Sequence, residues 1–92
     1  SVGTGIEYFR RGLAADPGDL LLPYPYALIL ASYDFDTYRA DIGTALRAAA
    51  AGTPRTAYED AMKGRARRLS DVLEAGSRGE FLALVKRYQG YP

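Results

Sequence analysis

Two charged clusters and one run of tyrosines are where residue types and spacing suggest chemistry in this chain. Asp34, Asp36 and Asp41, with Asp19 upstream, make the acidic cluster. Paired carboxylates can hold a hard cation or share a proton, but Asp-x-Asp alone lacks the glycine and the distal bidentate glutamate of a calcium loop. Capping of helix N-termini, where a carboxylate also meets the positive end of the helix dipole, is the expected role. Lys63, Arg65, Arg67 and Arg68 make the basic cluster. At about 100° per residue they spread around a helix instead of forming one stripe, and Glu59, Asp60, Asp71 and Glu74 flank them within reach of ion pairs. A solvated face is expected, with anion binding as the sharper alternative. No interleaved aromatics or helix-turn-helix turn support nucleic-acid binding. Tyr24, Tyr26 and Tyr33 could line a ligand pocket, although tyrosines more often bury the ring and leave the hydroxyl at the rim of a core.

What is missing narrows the chemistry further. The 92 residues contain no histidine and no cysteine, which removes the commonest general base, thiolate nucleophiles, thiolate metal sites and disulfides. No nucleophilic serine motif or phosphate loop is present, so no catalytic residue, cofactor site or metal site is assigned and catalysis by the isolated chain is not expected. Gly3-Thr4-Gly5 does not make a dinucleotide loop, because no strand precedes it and the third glycine position holds Tyr8. The formal charge is +1, which gives no global attraction to nucleic acid or anionic membrane. The halves differ, with four basic and six acidic side chains in residues 1–52 against eight and five in residues 53–92.

The elements that would position these groups read as helices. The clearest stretch, Thr53 to Gly90, predicts two helices joined by a two-residue turn. Thr53-Pro54 supplies a cap and a first-turn proline, and Tyr58, Met62, Leu69, Val72 and Leu73 recur at three- and four-residue steps. Gly76 is a natural left-handed stop, and Ser77 with Glu80 forms a capping box for a last helix with Phe81, Leu84, Val85 and Tyr88 on one stripe, closing at Gly90 and Pro92. Two amphipathic helices joined so tightly are expected to pack as an αα-hairpin.

Upstream, Thr4-Gly5-Ile6-Glu7 matches a capping box for a short first helix that Asp16-Pro17-Gly18-Asp19 breaks. Leu20 to Phe35 is continuously apolar. Pro23 and Pro25 argue against a strand, so an extended entry leads to a helix from about Pro25 to Tyr33, with all-round apolarity that predicts a central position. Asp34 or Asp36 caps a third helix running through Tyr38, Ile42, Leu46 and Ala49 to Gly52. Its Ala48–Ala51 run suits close helix contact, and Gly43 is expected to mark close packing if it marks anything.

The sum is an all-α fold, a bundle of four or five helices ending in an αα-hairpin, in one domain over residues 1–92 and centred on Ala27 to Leu30 and the stripes of the last two helices. A chain this small has little stability to spare, and a second chain would supply further burial. Tyr58, Met62, Leu69, Leu73, Phe81, Leu84, Val85 and Tyr88 are the candidates for a shared surface, some of which must be internal core. No secretory signal opens the chain, and Leu20 to Tyr33 is too short and proline-broken to span a bilayer, so a cytoplasmic protein is the expectation. The start at Ser1 without methionine suggests either a domain excised from a longer enzyme or a processed chain.

The stretch LSDVLEAGSRGEFLALVKRYQGYP, with DTYRADIGTAL upstream and its Tyr38, Asp41 and Ile42, resembles the helical C-terminal domain of the prephenate/arogenate dehydrogenase family over roughly residues 27–90. The resemblance implies a dimerisation module of aromatic amino-acid biosynthesis that closes one wall of a dicarboxylate pocket, partnered by an NAD(P)-dependent dehydrogenase domain that this chain lacks. Arg65 and Arg68 are then the anion-binding candidates, since a guanidinium can grip a carboxylate with two parallel bonds. The family's substrate-contacting arginine would fall near Ala27 to Ala31, where this chain has only alanine, leucine and isoleucine, so no substrate ligand is carried over. Two alternatives stay open, a regulatory or nucleic-acid-binding helical module and a small all-helical chorismate-mutase-like enzyme. The enzyme would need an arginine near the start of a long first helix and further basic residues converging in the bundle.

Overall fold

The computed structural model describes residues 2–90. Five helices account for most of them: α1 (Val2–Ala15), α2 (Pro23–Asp34), α3 (Arg39–Ala51), α4 (Ala57–Glu74) and α5 (Arg78–Gly90), with no strand among the described residues. The architecture is all-α, as the periodicity predicts. Pro92, expected beyond the last helix, lies outside the described residues.

Several helix ends differ from the sequence expectation, each for a local reason. α1 is already helical at Val2 and extends over 14 residues, so Thr4 sits inside the helix and Thr4-x-x-Glu7 is not its cap. α2 starts at Pro23, not Pro25. Neither proline forfeits a helical hydrogen bond at the first and third positions, because the amides of the first turn have no partner within the helix. Instead Leu21 N–H donates to Asp19 Oδ1 at 2.9 Å, and Tyr24 N–H to the Leu20 carbonyl at 3.3 Å, which winds the chain into the helix.

α4 begins at Ala57, three residues beyond the Thr53-Pro54 signal. The working cap is Thr56, whose hydroxyl accepts from Glu59 N–H at 3.1 Å while the Glu59 carboxylate accepts from Arg55 N–H at 3.4 Å. Thr53 belongs to an extended linker, its N–H donating to the Gly18 carbonyl at 3.1 Å. Gly52 is needed here because a Cβ would lie 2.6 Å from Leu20 Cδ1 and 3.1 Å from the Gly18 carbonyl oxygen. Lys63 Nζ reaches back to donate to the Gly52 carbonyl at 2.6 Å, so α4 holds the linker that precedes it.

The α4–α5 connection is three residues, Ala75 to Ser77, not two. Gly76 takes φ +83°, and Ser77 Oγ accepts from Glu80 N–H at 3.3 Å, as the stop and capping box predict. α4 and α5 pack on each other, and α5 also packs on α2.

One apolar core joins all five helices. Its most enclosed members are Ile42, Ala45, Leu46 and Ala49 of α3 and Ala66 and Leu69 of α4, all fully shielded from solvent. Small residues on both sides let α3 and α4 approach closely. Gly43 belongs to this contact, since a Cβ there would lie 3.5 Å from Leu73 Cδ2 and 3.1 Å from Arg47 Nη1. Phe35 and Phe81 tie the α2–α3 turn to α5 with ring centroids 5.2 Å apart, and Phe9 of α1 stacks on Tyr26 of α2 at 4.4 Å. The expected centre at Ala27 to Leu30 holds at three of its four positions. Ala27, Leu28 and Leu30 are buried, but Ile29 is 59% exposed, so α2 covers one side of the core and is not enclosed by its neighbours.

Candidate functional site

The acidic cluster is dispersed by the fold. Asp19 holds the turn before α2, and Asp34 Oδ1 accepts from Thr37 N–H at 3.2 Å in the turn before α3, whose cap position is Tyr38, with no side-chain cap. Asp36 forms a two-pronged pair with Arg78 at 2.9 and 3.0 Å, which holds its carboxyl below the usual range and links the α2–α3 turn to α5. Asp41 accepts from Arg10 at 2.8 Å and links α3 to α1. Among the described residues no three acidic side chains converge as a metal site would need.

The basic cluster also separates. Lys63 is tied to the linker, and Arg67 points to solvent. The expected ion pairs with Glu59, Asp60, Asp71 and Glu74 do not form among the described residues, Glu59 being taken by the α4 cap. Of the two anion-binding candidates, Arg68 lines a shallow groove with Glu80, Leu84 and Arg87, where the glutamate offsets one of the two positive charges. Arg65 lies over the Tyr88 ring, its Cζ 4.8 Å from the centroid. On α1, Arg10 and Arg11 engage Asp41 and Glu7 at the surface and do not meet these residues.

The eight candidates for a shared surface are partitioned by burial. Met62, Leu69, Leu73, Phe81 and Val85 are core residues of the single chain, whereas Leu84 and Tyr88 are half-buried and Tyr58 is 70% exposed. What hydropathy concealed is the outer face of α2. Pro25, Ile29 and Tyr33 follow at four-residue spacing and all face solvent, with exposed Leu21 just before the helix. This strip runs between the flank where Tyr26 meets α1 and the flank where Gln89 of α5 donates to the Leu28 carbonyl at 3.3 Å and accepts from Ser32 Oγ at 2.8 Å.

The tyrosines of the Leu20–Phe35 segment diverge. Tyr26 stacks on Phe9, and Tyr33 lies outside, 6.2 Å from the Tyr38 ring. Tyr33 borders an open groove with Phe35, Asp36 and Arg78, while Tyr24 lines a cleft of about 490 Å³ formed with Tyr58, Ala61, Met62 and Arg65 of α4 and Tyr88 and Gln89 of α5. Tyr24 is only 6% exposed, and its hydroxyl is buried without a hydrogen-bond partner. Burial pushes its pKa up. The Arg65 guanidinium beside it pulls it partly back, first as a nearby donor and then by its charge, though the two groups do not reach the geometry of a full hydrogen bond. Arg65 and Tyr88 were both legible as candidates, one for anions and one for an interface. Their meeting with Tyr24 was not, because it depends on how three helices cross.

Compared with family models, curated proteins and solved structures, the chain shows no match. The fold and the two surface features therefore define the class by themselves: a small all-α bundle with an unpartnered apolar helix face and a separate cleft lined by tyrosines and one arginine. Among the described residues no helix is long and apolar enough to cross a membrane.

Proposed function

We propose that this chain is a helical association module, not catalytic alone, that pairs with a second copy of itself through the outer face of α2. The observation that carries the reading is Ile29, a large apolar residue left 59% exposed at the middle of a strip that includes Leu21, Pro25 and Tyr33. No charged residue occurs from Leu20 to Tyr33, so the strip offers nothing to a charged partner and matches only another apolar face. A two-fold axis near Ile29 would set this strip against its own copy, the arrangement most homodimers use. A small bundle also gains proportionally from such burial.

The resemblance to the C-terminal domain of prephenate/arogenate dehydrogenases supports the same kind of role. In this reading a dehydrogenase domain supplies the chemistry, and the setting is cytoplasmic. Light scattering over a roughly hundredfold dilution tests the association. Twice the chain mass at the concentrated end is expected, with Ile29→Lys folded and at the single-chain mass throughout. A wild-type protein that keeps the single-chain mass at every concentration overturns the proposal.

A further inference from the structure

We infer that the cleft between α2, α4 and α5 is a binding site for a small planar aromatic molecule carrying an oxyanion, a carboxylate or phosphate. The site is separate from the outer face of α2 and does not depend on association. Three observations carry it. Tyr24 lines the cleft and has a hydroxyl that is buried and unpartnered, although buried polar groups are nearly always hydrogen-bonded. Arg65 lines the same cleft, has no acidic partner among the described residues and lies with its Cζ 4.8 Å from the Tyr88 ring centroid, so its charge and its planar fork of N–H donors are not taken up by a carboxylate of the chain. Tyr58, Ala61 and Met62 supply apolar walls on the same cleft, whose size is in the usual range for small-molecule sites.

The chemistry selects the ligand. Tyrosines alone would suit an organic cation, but the charge of Arg65 among them repels one and attracts an anion. A bare inorganic anion would satisfy Arg65 and leave the aromatic and thioether walls unused, whereas a flat ring fills them. With the ring against Tyr58 and Met62, the anionic oxygens accept from Arg65 and from the Tyr24 hydroxyl, which gives that hydroxyl the partner it lacks. Gln89 is held by Ser32 and the Leu28 carbonyl and serves as a fixed part of the rim.

The test is amide-resolved titration of the full chain, and of its Ile29→Lys form so that association does not affect the result, with benzoate, phenyl phosphate and the neutral benzamide as probes. Saturable shifts around Tyr24, Met62, Arg65 and Tyr88 are expected with either anion at millimolar concentration, and none with benzamide. Arg65→Gln and Tyr24→Phe should each weaken binding by about tenfold with the spectrum otherwise preserved. Tighter binding of one anion assigns the carboxylate or phosphate class. Equal binding of benzamide, indifference to both substitutions, or no saturable shift with either anion overturns the inference.

Discussion

Leu69 and Leu84 look alike in the sequence, each an apolar residue on the stripe of an amphipathic helix, yet one is wholly enclosed and the other only half-buried. Periodicity reports which side of a helix is apolar, but the depth of each residue depends on which neighbour crosses there, and that is set by the whole bundle. Leu69→Ala should therefore lower the unfolding free energy by about 2 to 5 kcal/mol and Leu84→Ala by about 1 kcal/mol, measured by denaturant unfolding. Tyr24 gives a second residue-level expectation. Its hydroxyl has no partner, so Tyr24→Phe removes no hydrogen bond and should leave the midpoint at neutral pH unchanged or higher. Because burial raises the folded-state pKa above the unfolded 10.0, the contribution of Tyr24 to stability is fully present below that pH and is lost as pH rises through the folded-state value. Unfolding followed from neutral to strongly alkaline pH should thus fall less steeply in Tyr24→Phe than in the wild type. Some slope persists from Tyr26, whose pKa is also raised by burial.

At the scale of the element, the stop and cap between α4 and α5 were legible, whereas Thr4-x-x-Glu7 of α1 and the aspartates before α3 were not the caps they resembled. Gly76 and the Ser77–Glu80 box mark one turn and nothing nearby competes with them. At the start of α4 two signals compete, Thr53-Pro54 and Thr56-x-x-Glu59, and the linker decides between them. The Thr53 amide is needed by the Gly18 carbonyl, and the Gly52 carbonyl by Lys63, so the backbone stays extended until Thr56. Thr56→Ala should cost about 1 kcal/mol in denaturant unfolding, whereas Thr53→Ala, which keeps the bonded amide, should cost less than about 0.5 kcal/mol. Equal losses would return the cap to Thr53. The ion pairs Arg10–Asp41 and Arg78–Asp36 also join elements far apart in sequence, but with every side chain except Asp41 well exposed such pairs contribute little to stability.

For the molecule as a whole, composition and helical period were enough to predict an all-α bundle, but not its packing order. Continuous apolarity in Leu20–Phe35 reads as a central helix because burial is the usual fate of such a run. The enclosed positions instead belong to α3 and α4, where alanines and glycine permit close contact, and α2 is left with one face outward. That mismatch between hydropathy and exposure is the basis of the proposed association. The cleft was less legible still, since its tyrosines and arginine come from three helices. The most direct test of the central claim is a series of amide spectra recorded across a roughly hundredfold dilution. Shifts confined to Leu21, Ile29, Tyr33 and their neighbours are predicted. Spectra that do not change with concentration, or changes centred on Leu69, Phe81 and Val85, would contradict the claim.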